Sequence, residues 1–271
     1  HLFGMPSKMD ELIELARAHD LKIIEDASHA HGATYHGRPV GTLGDIGVFS
    51  MQANKLVPSA EGGVLLTDDD ELFVRALRYG HYERLIPMKD SPHRRFAATG
   101  FGLKFRMSPL SAAVARGQLA HLDERNAQRN AACVALSHRL APLGIHTYLA
   151  PEGVERVYFE FLVRVDPKLG IDLTTLAEAL RAEGALVEAP RYPLLHQQPM
   201  FTEGEWARIA RIDPALHTYD PRDLAATMAL NATLLKLPSF ARADDALIDQ
   251  YAHAFEKVFA HAAQIAEARD S

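Results

Sequence analysis

Lys55 stands alone between two short apolar runs, Ile46 to Phe49 and Val64 to Leu66, in a polar stretch that closes with Glu61-Gly62-Gly63. The pattern predicts a strand, a loop that carries the lysine, and a second strand. Most lysines are solvated surface charges, but this one has chemically apt neighbours. Upstream, Leu21-Lys-Ile-Ile-Glu-Asp26 reads as a buried strand, with Leu21, Ile23 and Ile24 apolar and acids at its carboxyl end. His29 follows in Asp26-Ala-Ser-His-Ala-His-Gly32. Ligands of open α/β sheets gather outside the carboxyl ends of the strands, so Asp26 is expected where a ligand is met. A lysine amine can form a Schiff base and a carboxylate can pair with a protonated ring nitrogen. With a histidine and a loop serine, these are the parts a pyridoxal phosphate site needs.

The elements that must position these residues follow from pattern. Ser7 to Ala18 is expected as a helix capped by Ser7, with Met9, Leu12, Ile13 and Ala16 on one face. It feeds the Leu21 to Asp26 strand, an αβ step of a parallel sheet. Gly32 to Gly44 is turn-rich, and the Asp68-Asp-Asp70 run caps a helix over Glu71 to Tyr79. Gly80 to Gly102 has no periodicity and holds His81, Arg84, Lys89, His93, Arg94 and Arg95. That basic loop reads either as a solvated face or as an anion-contacting or dimer-facing segment. Ser108-Pro109 opens a helical pattern that runs to about Leu143, with Gly144 past its end. Beyond it, Val157 to Val165 alternates like a strand, Asp172 to Glu183 is helical, Leu186 to Ala189 is a short strand and Ala246 to Ala262 a closing helix.

Composition narrows the remaining classes. The chain has 271 residues, enough to bury a core, and a net charge of -6 with no basic block. That balance argues against nucleic acid and against an anionic membrane surface. The single cysteine, Cys133, cannot form an internal disulfide, which fits a reducing, cytoplasmic setting. No apolar run reaches the length of a membrane span. His29, His31 and His36 lack acidic or cysteine partners at ligand spacing, so no metal site is expected.

Four segments carry a wider resemblance: Glu25-Asp-Ala-Ser-His-Ala-His-Gly-Ala33, Gly41-Thr-Leu-Gly-Asp-Ile-Gly-Val-Phe-Ser50, Lys55 and Glu61-Gly-Gly63. Together they resemble the sugar and cyclitol aminotransferases of the DegT/StrS type, fold-type I pyridoxal phosphate enzymes, collinearly from His1 to about Ile265. The resemblance implies an α/β fold: a mostly parallel central sheet flanked by helices, incomplete at the N-terminus, and a smaller C-terminal α+β domain. The expected division is 1–108 for the C-terminal part of the cofactor domain, 109–143 for a linking helix and 144–271 for the small domain. A segment ahead of His1, which in the family carries a phosphate-binding loop and a stacking aromatic, is expected to be missing.

The resemblance also implies roles. Lys55 would hold pyridoxal 5'-phosphate and later act as general base and acid, while Asp26 would pair with the pyridine nitrogen. His29 would contact the ring or its phenolic oxygen, and Ser50 the phosphate. Gly102-Leu-Lys-Phe-Arg-Met is similar to the family's Gly-Tyr-Asn-Tyr-Arg-Met motif, which reaches across a homodimer to the partner's cofactor phosphate. Lys104 stands where asparagine is usual and can meet phosphate as a point charge, with Arg106 on the substrate side. Tyr192-Pro-Leu-Leu-His-Gln-Gln-Pro-Met-Phe201 is similar to a substrate-facing loop, which would put Tyr192 and His196 on substrate.

The implied reaction moves an amino group from glutamate or glutamine onto a keto group of a nucleotide-linked sugar or a cyclitol. The motifs lean to the branch that includes the scyllo-inosose aminotransferases. Two alternatives remain at this point: a truncated homologue without catalysis that serves as partner subunit or regulator, and a sugar dehydratase, which in this family carries histidine in place of Lys55.

Overall fold

The computed structural model describes residues 1–189, 192–211, 213, 220, 222 and 224–270. Its contacts divide the chain into two compact units, one of residues 1–131 and 150–159, the other of residues 132–149 and 160–271.

In the first unit, α1 (Met9–Ala18) leads to β1 (Ile24–Asp26). The helix begins two residues later than the Ser7 pattern predicts; Lys8 sits at its N-cap without a capping side chain, and Asp10 and Glu11 supply negative charge to its first turn. The β1 strand is shorter than predicted and is not buried through its apolar side chains. Ile24 is 65% and Leu21 59% exposed, whereas Glu25 is 3% exposed. Alternation along the strand explains Ile24: Glu25 points to the core, so both its neighbours point out, while Leu21 lies ahead of the strand. The Ile23 amide, which could have extended the ladder, instead donates to Asp45 Oδ2 at 2.8 Å.

A small hairpin, β2 (Thr34–Tyr35) and β3 (Arg38–Pro39), precedes β4 (Ile46–Ser50) and β5 (Gly63–Leu66). The predicted strand, loop and strand around Lys55 are thus observed. The sheet order is β1-β4-β5, with β1 and β4 parallel and β4 and β5 antiparallel. Then α2 (Asp70–Gly80) is capped by Asp69, whose carboxylate accepts the Leu72 amide at 2.9 Å, as the acidic run predicted. Two 3-10 turns, Tyr82–Leu85 and Pro92–Phe96, order part of the aperiodic loop that follows. The long helix predicted from Ser108 is two helices, α3 (Pro109–Leu119) and α4 (Leu122–Leu140). Ser108 does cap α3, but the His121 amide bonds the Gln118 carbonyl, a tight i→i−3 turn that ends it. Asp123 and Glu124 then open a new first turn.

The second unit holds β6 (His146–Thr147), while β7 (Val154–Glu155) returns to the first and pairs antiparallel with β2. The strand predicted over Val157 to Val165 shrinks to β8 (Phe161–Arg164). The residues just before it are engaged elsewhere: the Val157 amide donates to the Gly4 carbonyl at 3.0 Å, and the Arg156 carbonyl accepts Asn130 Nδ2 at 2.8 Å. Next come α5 (Leu173–Ala182), capped by Asp172, and the short helices α6 (Pro199–Thr202), α7 (Glu205–Ala210) and α8 (Ala225–Asn231). The strand β9 (Leu234–Leu237) completes an antiparallel sheet of order β6-β8-β9. The strand expected over Leu186 to Ala189 reduces to one bridge, Glu188 to Lys236. The closing helix is α9 (Asp245–Ala260), followed by α10 (Ala262–Asp270).

Candidate active site

The parallel pairing of β1 with β4 decides which residues meet. Asp26 lies opposite Val48, and the Ala27 amide donates to the Val48 carbonyl at 2.9 Å. Parallel strands end on the same side, so Asp26 and Ser50, the last residues of the two strands, sit at one edge of the sheet. The turn ahead of β4 is tied to β1. The buried Glu25 carboxylate accepts the amides of Leu43 and Gly44 at 2.6 Å and of Gly41 at 2.8 Å. That turn comes so close to β4 that a Cβ on Gly47 would lie 2.0 Å from the Gly41 carbonyl oxygen.

The loop after Ser50 is closed at its base. Met51 donates its amide to the Gly62 carbonyl at 2.9 Å, and its own carbonyl accepts both the amide and the hydroxyl of Ser59. Leu56 and Val57 are buried in the core of the unit. Lys55 precedes this anchor, half-buried, with its amide bonded to the Gln52 carbonyl at 2.9 Å. Its Nζ lies over the Phe159 ring, 4.6 Å from the centroid. The same ring stacks on His29, with centroids 4.0 Å apart and planes at 19°. The Phe3 amide donates to His29 Nδ1 at 3.3 Å, which leaves the proton of a neutral imidazole on Nε2.

Electrostatics separate the charged groups here. Asp26 is exposed, and hydrogen bonding from Ser28, whose amide is 3.0 Å from Oδ1, holds its carboxyl below the usual range. His31 is 4% exposed and tilts against Phe49 at 5.1 Å. Burial pushes its imidazole down to about 4, helped by the charges of Lys55 and His29 and opposed by the Ser50 backbone. A neutral imidazole therefore lies beside the lysine at neutral pH. Ser50 Oγ accepts the Gln52 amide at 3.3 Å, so its hydroxyl proton is free to donate.

The remaining expected residues have the following surroundings. Lys104 and Arg106 are exposed and both pair with Glu83, at 3.2 and 2.9 Å. Lys104 also lies 5.5 Å from the Tyr82 ring centre, and hydrogen bonds to Tyr82 and Glu83 hold its ammonium above the ordinary range. Tyr192 and His196 belong to the second unit. Tyr192 is exposed, while His196 is buried in the turn Leu195–Gln197 with Nε2 unbonded, against the usual expectation for a loop histidine. The second unit also contains a cavity of about 820 Å³ lined by Val165, Asp166, Leu173, Leu194, Gln197 and Met228, among others. Glu25, His31 and Phe159 are the residues that sequence reasoning missed. Strand alternation carried a signal for Glu25 alone.

The sequence matches the model of the DegT/DnrJ/EryC1/StrS aminotransferase family over residues 1–256. It is 37% identical over 216 residues to a putative L-glutamine:3-amino-2,3-dideoxy-scyllo-inosose aminotransferase of Micromonospora echinospora, covering 77% of this chain and 51% of that protein. It is 35% identical to the L-glutamine:scyllo-inosose aminotransferase of Streptomyces griseus, covering 95% of this chain and 63% of that one. Among solved structures, DesV of S. venezuelae in complex with a ketimine intermediate superposes with a TM-score of 0.74 at 29% identity, covering 97% of this chain and 63% of that chain. The chain thus spans about half to two thirds of the length of these relatives.

Proposed function

Because the chain belongs to the DegT/DnrJ/EryC1/StrS aminotransferase family, we propose that it carries a pyridoxal 5'-phosphate site centred on Lys55. The reaction it serves is transfer of an amino group from an amino acid, glutamine or glutamate, to a keto-cyclitol or a keto-sugar. The glutamine donors and scyllo-inosose acceptors in the names of the relatives favour the cyclitol. The observation that carries this reading is the in-register parallel pair, which delivers Asp26 and the Ser50 to Lys55 loop to one sheet edge.

The residues present fit that group. The flat His29 ring offers a stacking surface, and the exposed, readily ionised Asp26 offers an anion to a protonated ring nitrogen. Ser50 has a hydroxyl proton for an anionic oxygen. When bound, pyridoxal phosphate supplies an aldehyde for amino groups and a ring that withdraws electrons. Lys55 is its attachment point, and its amine must shed a proton to attack. Once free, Lys55 Nζ would move the proton between the substrate carbon and the cofactor, a transfer needing only hydrogen-bond reach. Asp26 keeps the opposing nitrogen protonated. His31 stays uncharged above about pH 4, so it adds no cation next to the lysine.

Lys104 meets the cofactor phosphate of a second copy, in a homodimer with shared sites, while Arg106, Tyr192 and His196 face substrate. No described helix is long and apolar enough to cross a membrane, and Cys133, the single cysteine, is buried. A reducing cytoplasm suits the proposal. It is tested by adding L-glutamine to the purified chain after pyridoxal phosphate: the reading expects the visible cofactor band to give way to that of the pyridoxamine form. A band that ignores every amino donor would overturn it.

A further inference from the structure

Phe159 lies on neither of the strands that bear the candidate residues, yet it touches two of them. Its ring lies nearly flat on His29, at 4.0 Å and 19°, and under the Lys55 ammonium at 4.6 Å. His29 comes from the segment after β1, and Lys55 from the loop between β4 and β5. The backbone that carries Phe159 is pinned on its near side, because the Val157 amide bonds the Gly4 carbonyl at 3.0 Å and the Val157 side chain is buried in the core of the unit. Arg156, three residues before Phe159 and itself buried, covers the Tyr158 ring at 3.9 Å. The ring is therefore held from its own segment and does not depend on Lys55 for its place.

We propose that Phe159 is a positioning residue for Lys55: its ring, laid on His29, holds the lysine ammonium by a cation–π contact. The inference rests on the reading of Lys55 as the attachment amine, but the contact it describes exists in the chain by itself. An aromatic face attracts a cation through its quadrupole, and the contact is lost when the amine gives up its proton. Phe159 thus keeps the amine gathered over its ring.

The test needs no cofactor. Phenylalanine analogues carrying one, two and three ring fluorines at position 159 keep shape while progressively weakening the quadrupole. Acylation of Lys55 in the cofactor-free chain is followed at one fixed, near-neutral pH by peptide mass mapping. The proposal expects the Lys55 rate to rise stepwise with fluorination, and by about three- to tenfold in Phe159→Leu. Phe159→Tyr, which retains a cation-binding face, should behave like the parent, and Lys22 serves as an internal reference. Circular dichroism reports folding of each variant; if Phe159→Leu does not fold, the fluorine series alone decides. A Lys55 rate that is the same across the fluorine series would overturn the proposal. Failure of Lys55 to take pyridoxal phosphate would instead overturn the functional reading and leave this measurement standing.

Discussion

Glu25 reaches from β1 to the turn ahead of β4 and accepts the Gly44 amide at 2.6 Å. The same carboxylate also serves Leu43 and Gly41, so one buried side chain holds the turn ahead of β4 against β1. Removing it leaves buried amides without an acceptor. Glu25→Ala is expected to cost about 3–5 kcal/mol, and Glu25→Gln, which keeps one acceptor oxygen, about 1–3 kcal/mol. Urea unfolding at neutral pH measures both. A loss for Glu25→Ala below about 1 kcal/mol would contradict this account of the turn.

Gly47 faces that turn from the strand side. Since a Cβ there would lie 2.0 Å from the Gly41 carbonyl oxygen and 2.6 Å from the Gly41 Cα, backbone must move to admit it. Gly47→Ala is expected to destabilise by about 3 kcal/mol or more, at the severe end of overpacking. Gly37→Ala, where nothing lies within 4 Å, carries a positive φ of 74° and should show only that smaller backbone strain. Comparing the two unfolding midpoints separates close approach from conformation.

His31 sets a pH dependence. Its imidazole titrates near 6.5 when unfolded and about 4 in the folded chain, so below about 6.5 the unfolded state binds a proton that the folded state refuses. Stability therefore falls as pH drops through this window, by roughly 2 kcal/mol at about pH 5 relative to about pH 8. In His31→Leu that component disappears, so the variant should gain on the parent by that amount as pH falls. A parent-to-variant difference that does not change with pH would contradict the burial of a neutral ring.

How much of this was legible follows from which forces are local. The strand, loop and strand around Lys55, the acidic cap at Asp69 and the helix after Asp172 rest on short-range patterns, and all were readable. The length of β1 was not, because its apolar residues Leu21 and Ile24 suggested burial while the alternation turned Glu25 inward. The break between α3 and α4 has no proline or glycine at the junction to announce it. Phe159 lay hidden in an alternating run, since its partners His29 and Lys55 are more than a hundred residues away in sequence. Long-range pairing of that kind leaves no local trace.

Asp26→Asn tests the charge at the sheet edge while keeping shape. The amide cannot hold a ring nitrogen protonated, so the donor half-reaction should slow about a hundredfold or more. Stability should change little, because Asp26 is exposed. Stopped-flow absorbance after mixing with L-glutamine measures the rate. A variant as fast as the parent would remove Asp26 from the proposed chemistry.

The most direct measurement is the absorbance spectrum of the purified chain with pyridoxal phosphate, followed by borohydride reduction and peptide mass mapping. The account predicts a visible band and a phosphopyridoxyl adduct on Lys55. No band, with Lys55 unmodified or the adduct on another lysine, would contradict it.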